Sequence, residues 1–215
     1  MVACSSSAGP AFEGSGISCG SRAVQGAIDN VYYYRGHLVF DVIGGHAIEP
    51  ASVCGSGLIS LLSALQQKGV IDRSGHFTTP EKHFSIAPKV QITEDDILNL
   101  IRSKGAIYAG MRVLANFMEL RLSDLTHVYV AGGFGRNLNV GYATNIGMFP
   151  PLDRKAYSYV GNSSLAGAVR TLCDRTIDAA ATAASILNLQ LSGGNGLTDE
   201  CTKACFLRHT APSFF

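Results

Sequence analysis

Charge is scarce in this sequence. Only 15% of its residues are charged and the formal net charge is +1, which leaves no electrostatic ground for a nucleic-acid partner or an anionic membrane surface. Long apolar runs are missing too. The most helix-like stretch, from Leu98 to Leu122, is interrupted by Arg102, Lys104, Arg112 and Glu119, so no membrane span is expected. The N-terminus, MVACSSSAGP, has neither a basic start nor a long hydrophobic segment. A signal peptide is therefore not expected, and a cytoplasmic location is. Close cysteine pairs are few: of Cys4, Cys19, Cys54, Cys173, Cys201 and Cys205, only the last two are near each other, spaced for one face of a short helix. A zinc or iron–sulfur site needs four ligands, usually from two such pairs, so these read as buried thiols in a reducing compartment. His46, His76, His83 and His127 show no metal-ligand spacing. Neither G-x-G-x-x-G nor G-x-x-x-x-G-K-[ST] occurs, which excludes the dinucleotide fingerprint and the Walker loop.

What is present is apolar and periodic. Hydrophobic residues make up 47% of the 215 and mean hydropathy is +0.18, enough for a sizeable core and against disorder. Residues 1–20 are rich in Ser, Gly and Ala and read as a loop. Val31 to Tyr34 and His37 to Ile43 flank Arg35-Gly36 as a hairpin. Leu58, Ile59, Leu61, Leu62 and Leu65 predict a helix from Cys54 to Lys68, stopped by Gly69. Residues 72–92 lack a long period and predict short strands and turns. Thr93, followed by Glu94, Asp95 and Asp96, is a helix start with a capping hydroxyl and acids against the dipole. That helix is expected to run toward Leu120 with a bend near Gly105. Lys104 interrupts its apolar face, and so long a side chain is expected to reach solvent. Thr126 to Ala131 predicts a short buried strand, Val140 to Gly147 a helix, and Tyr157 to Val160 a second strand. A helix through Cys173 and an Ala-rich helix over 176–191 follow. Strands alternate with helices, so the class is α/β.

The informative unit is strand–GGFG–helix followed by strand–GNSS–helix. Gly132-Gly133 directly after a strand lets backbone approach a flat or charged ligand without Cβ interference. Gly161-Asn162-Ser163 at a helix start offers free N–H groups and hydroxyls for an anion or a ribose. Both turns would lie at carboxyl ends of strands, where open α/β sheets bind ligands, although either alone also serves as an ordinary tight turn. Cys54-Gly55-Ser56-Gly57 opens a helix, where its amides suit phosphate or its glycines simply allow close packing. Glu13, in the Gly9 to Gly14 loop, is the candidate for orienting a water or a Mg2+-bound phosphate, against the ordinary reading of a surface acid.

Taken in order, ACSSSAGPAFEG, ISCGSRAVQGAI, SVCGSGLI, AGGFGRNLNVGYATNIGMFP, VGNSSLAGA and FLRHT resemble the C-terminal domain of the reductive activators of corrinoid-dependent enzymes, over nearly the whole chain. The resemblance implies a ribonuclease-H-like lobe of the actin/sugar kinase/Hsp70 (ASKHA) superfamily, a mixed sheet with flanking helices. It divides the chain into a loop and hairpin (1–50), a helical part with an irregular insert (51–122) and an adenosine-motif subdomain (123–215). It also implies ATP with Mg2+, a corrinoid protein of a methyltransferase system as partner, and a [2Fe-2S] domain upstream that supplies the electron for reducing Co(II) to Co(I). Gly132, Gly133, Phe134 and Gly135 then correspond to the adenosine-side motif, with Asn139, Gly161, Asn162 and Ser163 beside it. Gly55, Ser56 and Gly57 border the phosphates. The acidic D-x-G-T phosphate loops of that family are not in this sequence, and its usual Pro in the terminal F-L-P-H-T is Arg208. The chain is accordingly expected to be a piece of a larger protein, with little ATPase activity alone. A homodimer, a non-catalytic docking or dimerisation module, and a fragment of an ASKHA small-molecule kinase are the other expectations.

Overall fold

The computed structural model describes residues 1–133, 138–174, 176–191 and 196–207. It opens with strand β1 (Val2–Cys4), and β2 (Ala27–Tyr34) and β3 (His37–Val42) form the expected antiparallel hairpin. Arg35 at φ +49° and Gly36 at φ +86° supply the two positive φ angles that a two-residue hairpin turn requires. The register slips between Ile28 and Asn30, leaving a bulge at Asp29. On its other edge β2 pairs in parallel with β4 (Ser52–Val53), so this three-stranded sheet is mixed.

Helix α1 (Gly55–Gln67) follows at once and packs on β2. Its Leu58, Ile59, Leu61, Leu62 and Leu65 are all buried, each worth about 1.5–3 kcal/mol of transfer free energy. Gly57 is what lets the helix come so close: a Cβ there would sit 2.3 Å from the Ile28 carbonyl oxygen. Strands β5 (His83–Ala87) and β6 (Val90–Thr93) form a second hairpin and feed α2 (Glu94–Phe117). Thr93 and Asp96 complete a reciprocal capping box at its start. The helix runs from Glu94 to Phe117 without interruption at Gly105.

Strand β7 (Val128–Ala131), helix α3 (Val140–Asn145), strand β8 (Tyr157–Gly161) and helix α4 (Ser163–Cys173) come next, then α5 (Ala179–Ala184), β9 (Leu187–Leu189) and α6 (Leu197–Ala204). β7 and β8 pair in parallel. One apolar core joins residues from Ala11 to Leu207. α6 is clamped along α2: a Cβ on Gly105 would lie 3.2 Å from the Ala204 carbonyl oxygen and the Cys205 Sγ, and Arg112 Nε meets Glu200 Oε2 at 3.5 Å with both side chains nearly buried.

Four expectations need correction. Val2–Cys4 is not loop but a strand, paired in parallel with β9; its partner is remote in sequence, so no local pattern announces it. The Ala-rich helix over 176–191 stops at Ala184, because Leu187, Leu189 and Leu191 alternate with period two and the first two join that strand pairing. The β7 strand is not buried: Tyr129 is 67% exposed, and among the described residues β7 pairs with β8 alone. The mixed α/β architecture holds: among the described residues the strands form four small sheets, and the three-stranded one is mixed. Lys104 does not reach solvent. It is fully buried, and its Nζ donates to the Phe206 carbonyl oxygen. Of the cysteines, Cys19 and Cys54 are buried, whereas Cys173 is exposed.

Candidate functional site

The parallel pairing of β7 with β8 sets the two glycine turns side by side, at the carboxyl ends of adjacent strands. Gly132 N donates to the Gly161 carbonyl oxygen at 2.7 Å. Gly132 has φ +92° and Gly161 φ +63°, a left-handed backbone that favours glycine at both turns. Among the described residues, nothing lies within 4 Å of a Cβ placed on Gly132, Gly133 or Gly161. Phe134 and Gly135 lie outside the described residues. Asn162 and Asn139 are helix caps: Asn162 Oδ1 accepts from Leu165 N at 3.0 Å, and Asn139 Oδ1 from Gly141 N at 2.9 Å. Each cap uses one acceptor site of its Oδ1. Ser163 is the first residue of α4 and is exposed.

A cleft of about 430 Å³ joins three of the sequence-selected segments. Glu13, Gly55, Ser56 and Gly133 line it together with Phe12, Cys54, Ser21 and Arg22. The Gly9 to Gly14 loop reaches it because Gly14, at φ +85°, presses against Ser21; a Cβ there would be 2.4 Å from Ser21 N. Ser21 N is in turn held by the Val53 carbonyl oxygen at 3.0 Å, and its hydroxyl by Ser52 Oγ at 2.7 Å. The N-cap residue of α1, Cys54, makes no side-chain cap, so the helix presents uncapped N–H groups and the positive end of its dipole beside Arg22. Among the described residues that line the cleft, Glu13 is the one acid. This combination suits a phosphate-class anion. Gly57 is not part of it; that glycine is spent on the approach of α1 to Ile28.

Sequence reasoning missed Arg22 as a cleft cation. It lies inside ISCGSRAVQGAI, yet nothing local marks it, and only the fold sets it across from α1. Asp96 was equally unexpected beyond its cap. Its Oδ1 accepts from Ser18 N at 2.7 Å, its Oδ2 from Thr93 N at 3.0 Å and Thr93 Oγ1 at 2.8 Å, and Ser18 Oγ also donates to Oδ2. Burial alone would raise this carboxyl, but the hydrogen bonds from Ser18 and Thr93 outweigh it and hold the group below the usual aspartate range. Burial, helped by the same carboxylate, pushes the Cys19 thiol up to about 12, so Cys19 is inert at neutral pH. A larger hollow, about 580 Å³, lies between the end of α2 and Pro150 to Asp153 and contains none of the candidate residues. Among the described residues no three His, Cys, Asp or Glu side chains are grouped to hold a metal ion.

The sequence profile of the family described as the C-terminal domain of RACo, the ASKHA domain, matches residues 1–215. The chain belongs to this family. A solved structure, the reductive activator for corrinoid,iron-sulfur protein, superposes on this ASKHA chain with a TM-score of 0.86 and 41% identity, covering 100% of it and 37% of the other. The corrinoid activation enzyme RamQ of Eubacterium limosum is 29% identical over 76% of the chain and 32% of its own length. The [Co(II) methylated amine-specific corrinoid protein] reductase of Methanosarcina barkeri is 28% identical over 77% of the chain and 34% of its own. The chain thus spans about a third of the length of the relatives it matches. Among the described residues no helix is long and apolar enough to cross a membrane.

Proposed function

We propose that this chain is the nucleotide-binding part of a cytoplasmic reductive activator that serves a corrinoid protein of a methyltransferase system. The observation that carries the proposal is the cleft itself, where the uncapped start of α1, Arg22 and Gly133 converge. The uncapped N–H groups and the Arg22 guanidinium hold the phosphates of ATP, and the Gly132-Gly133 backbone leaves a flat base room to approach. Glu13, at the rim, orients a water or a Mg2+ ion carried by the phosphates. ATP, when bound, supplies the free energy for the uphill one-electron reduction of corrinoid cobalt from Co(II) to Co(I). The electron comes from a [2Fe-2S] centre that we place outside this chain. The three-part division at residues 50 and 122 is kept as part of this proposal.

A second reading has an observation of its own. Leu165, Val169 and Leu172 of α4 are 60%, 50% and 82% exposed on one helical stripe, which suits a docking module, including one that pairs with its own copy. One experiment separates the two. Calorimetric titration of the chain with Mg-ATP should give a saturable isotherm, and Arg22→Ala should weaken ATP about tenfold or more, as loss of a charge-assisted hydrogen bond does, with adenosine little affected. A folded chain with no heat of binding would sink the nucleotide reading and leave the docking module.

A further inference from the structure

The carboxylate of Asp96 does more than cap its helix. A capping box needs the third helical residue only to return a hydrogen bond to the N-cap backbone. Asp96 does this through Oδ2, which accepts from Thr93 N at 3.0 Å and Thr93 Oγ1 at 2.8 Å. Its Oδ1 leaves the helix and accepts from Ser18 N at 2.7 Å, and the Ser18 hydroxyl donates to Oδ2. Asp96 is buried, so these bonds are costly to lose. From Ser18 the chain reaches Arg22 through Cys19, Gly20 and Ser21, each pinned in turn. The Cys19 carbonyl oxygen accepts from Val53 N at 2.8 Å, and Ser21 N donates to the Val53 carbonyl oxygen at 3.0 Å. A Cβ on Gly20 would lie 2.5 Å from the Gly14 carbonyl oxygen. The Ser21 hydroxyl is 2.9 Å from the Arg22 carbonyl oxygen, to which it donates. Arg22 itself is exposed and makes no ion pair among the described residues. What aims its guanidinium is therefore the backbone that bears it.

We infer that Asp96 is a positioning residue for the phosphate-side cleft, fixing through Ser18 the backbone that aims Arg22 at the anion. The inference rests on the nucleotide reading above and gives α2, which lines no part of that cleft, a share in its work. The anchors of Cys19 and Ser21 lie on β4, and Asp96 braces the same stretch from the opposite element. Another bond from α2, Asn99 Nδ2 to the Gly16 carbonyl oxygen, is longer at 3.3 Å and exposed. Bonds accepted by a carboxylate are about twice as strong as neutral ones, so the Ser18 tie is the firmer brace. Asn in place of Asp96 has one acceptor oxygen and a donor where the carboxylate has two acceptors. It can serve Thr93 or Ser18, not both.

The test is a mutant cycle on the chain, read by calorimetry with Mg-ATP and with adenosine. Asp96→Asn should weaken Mg-ATP about fivefold, within the range of coupled neighbours, and leave adenosine unchanged. Ser18→Ala, which cuts the loop side of the tie and spares the cap, should act in the same direction. Thr93→Val, which cuts the cap hydroxyl and spares Ser18, should leave Mg-ATP affinity as it is. In an Arg22→Ala background neither Asp96→Asn nor Ser18→Ala should cost anything further, because both act through that guanidinium. Should Asp96→Asn fail to fold, Ser18→Ala with Arg22→Ala closes the same cycle. Native Mg-ATP affinity in the folded Asp96→Asn and Ser18→Ala variants overturns the inference while the nucleotide reading stands. Equal losses for ATP and adenosine, or losses that add to that of Arg22→Ala, overturn it too and reduce Asp96 to a helix cap. A native chain with no heat of binding for Mg-ATP ends both proposals.

Discussion

At the residue scale, Lys104 is the side chain whose behaviour departs most from its surroundings in sequence. Burial pulls its amine down to about 7, with the nearby Cys205 opposing that trend. An amine that ordinarily titrates near 10.5 and does so near 7 when folded binds fewer protons in the native state between those values. Stability therefore rises with pH across that window, and the penalty of a buried ammonium is fully present below it. We expect urea denaturation midpoints to climb between pH 7 and about 8.5, and Lys104→Met to flatten that climb. The upper bound stays below the range in which the raised Cys19 thiol begins to work in the opposite direction. A native chain with a flat profile would remove Lys104 as a titrating core group. Its tie to the Phe206 carbonyl oxygen, beside Leu207 N donating to the Arg73 carbonyl oxygen at 2.8 Å, also means that the segment after α6 is held from two elements.

At the element scale, the starts of α1 and α2 do different work. The start of α1 is defined by proximity, since Gly57 admits the Ile28 carbonyl where any side chain would collide. Gly57→Ala should cost about 1–3 kcal/mol, the usual range for overpacking, and should weaken ATP binding in parallel as the first turn of α1 moves off the cleft. Chemical denaturation together with calorimetry reads both, and an Ala variant of native stability would show the approach to be slack. The start of α2 is defined by hydrogen bonds and charge. Glu94 accepts from Lys82 Nζ at 2.9 Å and from Phe77 N at 3.0 Å and meets His76 Nδ1 at 3.3 Å, which lowers its carboxyl to about 2. Its folded value lies below its unfolded one, so its contribution is present above about pH 4.5 and is lost as pH falls toward 2. Glu94→Gln should flatten the acid limb of the stability profile in that window, as followed by circular dichroism; an unchanged limb would assign acid unfolding to other carboxylates. Asp96 extends the same helix start to the Ser18 loop, which leads into Ser21 and Arg22 of the cleft.

At the scale of the whole molecule, α2 is the spine. Its first turn steadies the cleft loop, and its second half grips α6 through Gly105 and the Arg112–Glu200 pair. Removing one partner of a nearly buried pair is costly, on the order of 3 kcal/mol, so Glu200→Gln should loosen the C-terminal helix. Limited proteolysis should then cut first near α6, and cleavage rates equal to those of the native chain would refute the clamp. The sequence by itself determined the α/β class, the β2–β3 hairpin, the extents of α1 and α4, the capped start of α2 and the glycine turns after β7 and β8. All of these depend on neighbours within a few residues: apolar period, caps, and glycines where φ is positive. It also carried the family, through motifs in a fixed order. Only the tertiary structure decided that Val2–Cys4 is a strand, that Leu187–Leu189 leaves the Ala-rich helix to pair with it, and that Lys104 is sealed beneath α6. That Arg22 joins Glu13, Ser56 and Gly133 around one cleft, and that Gly57 is diverted to packing, was likewise invisible in one dimension. Each of these rests on a partner far along the chain, and local patterns hold no information about which distant surface a side chain will meet.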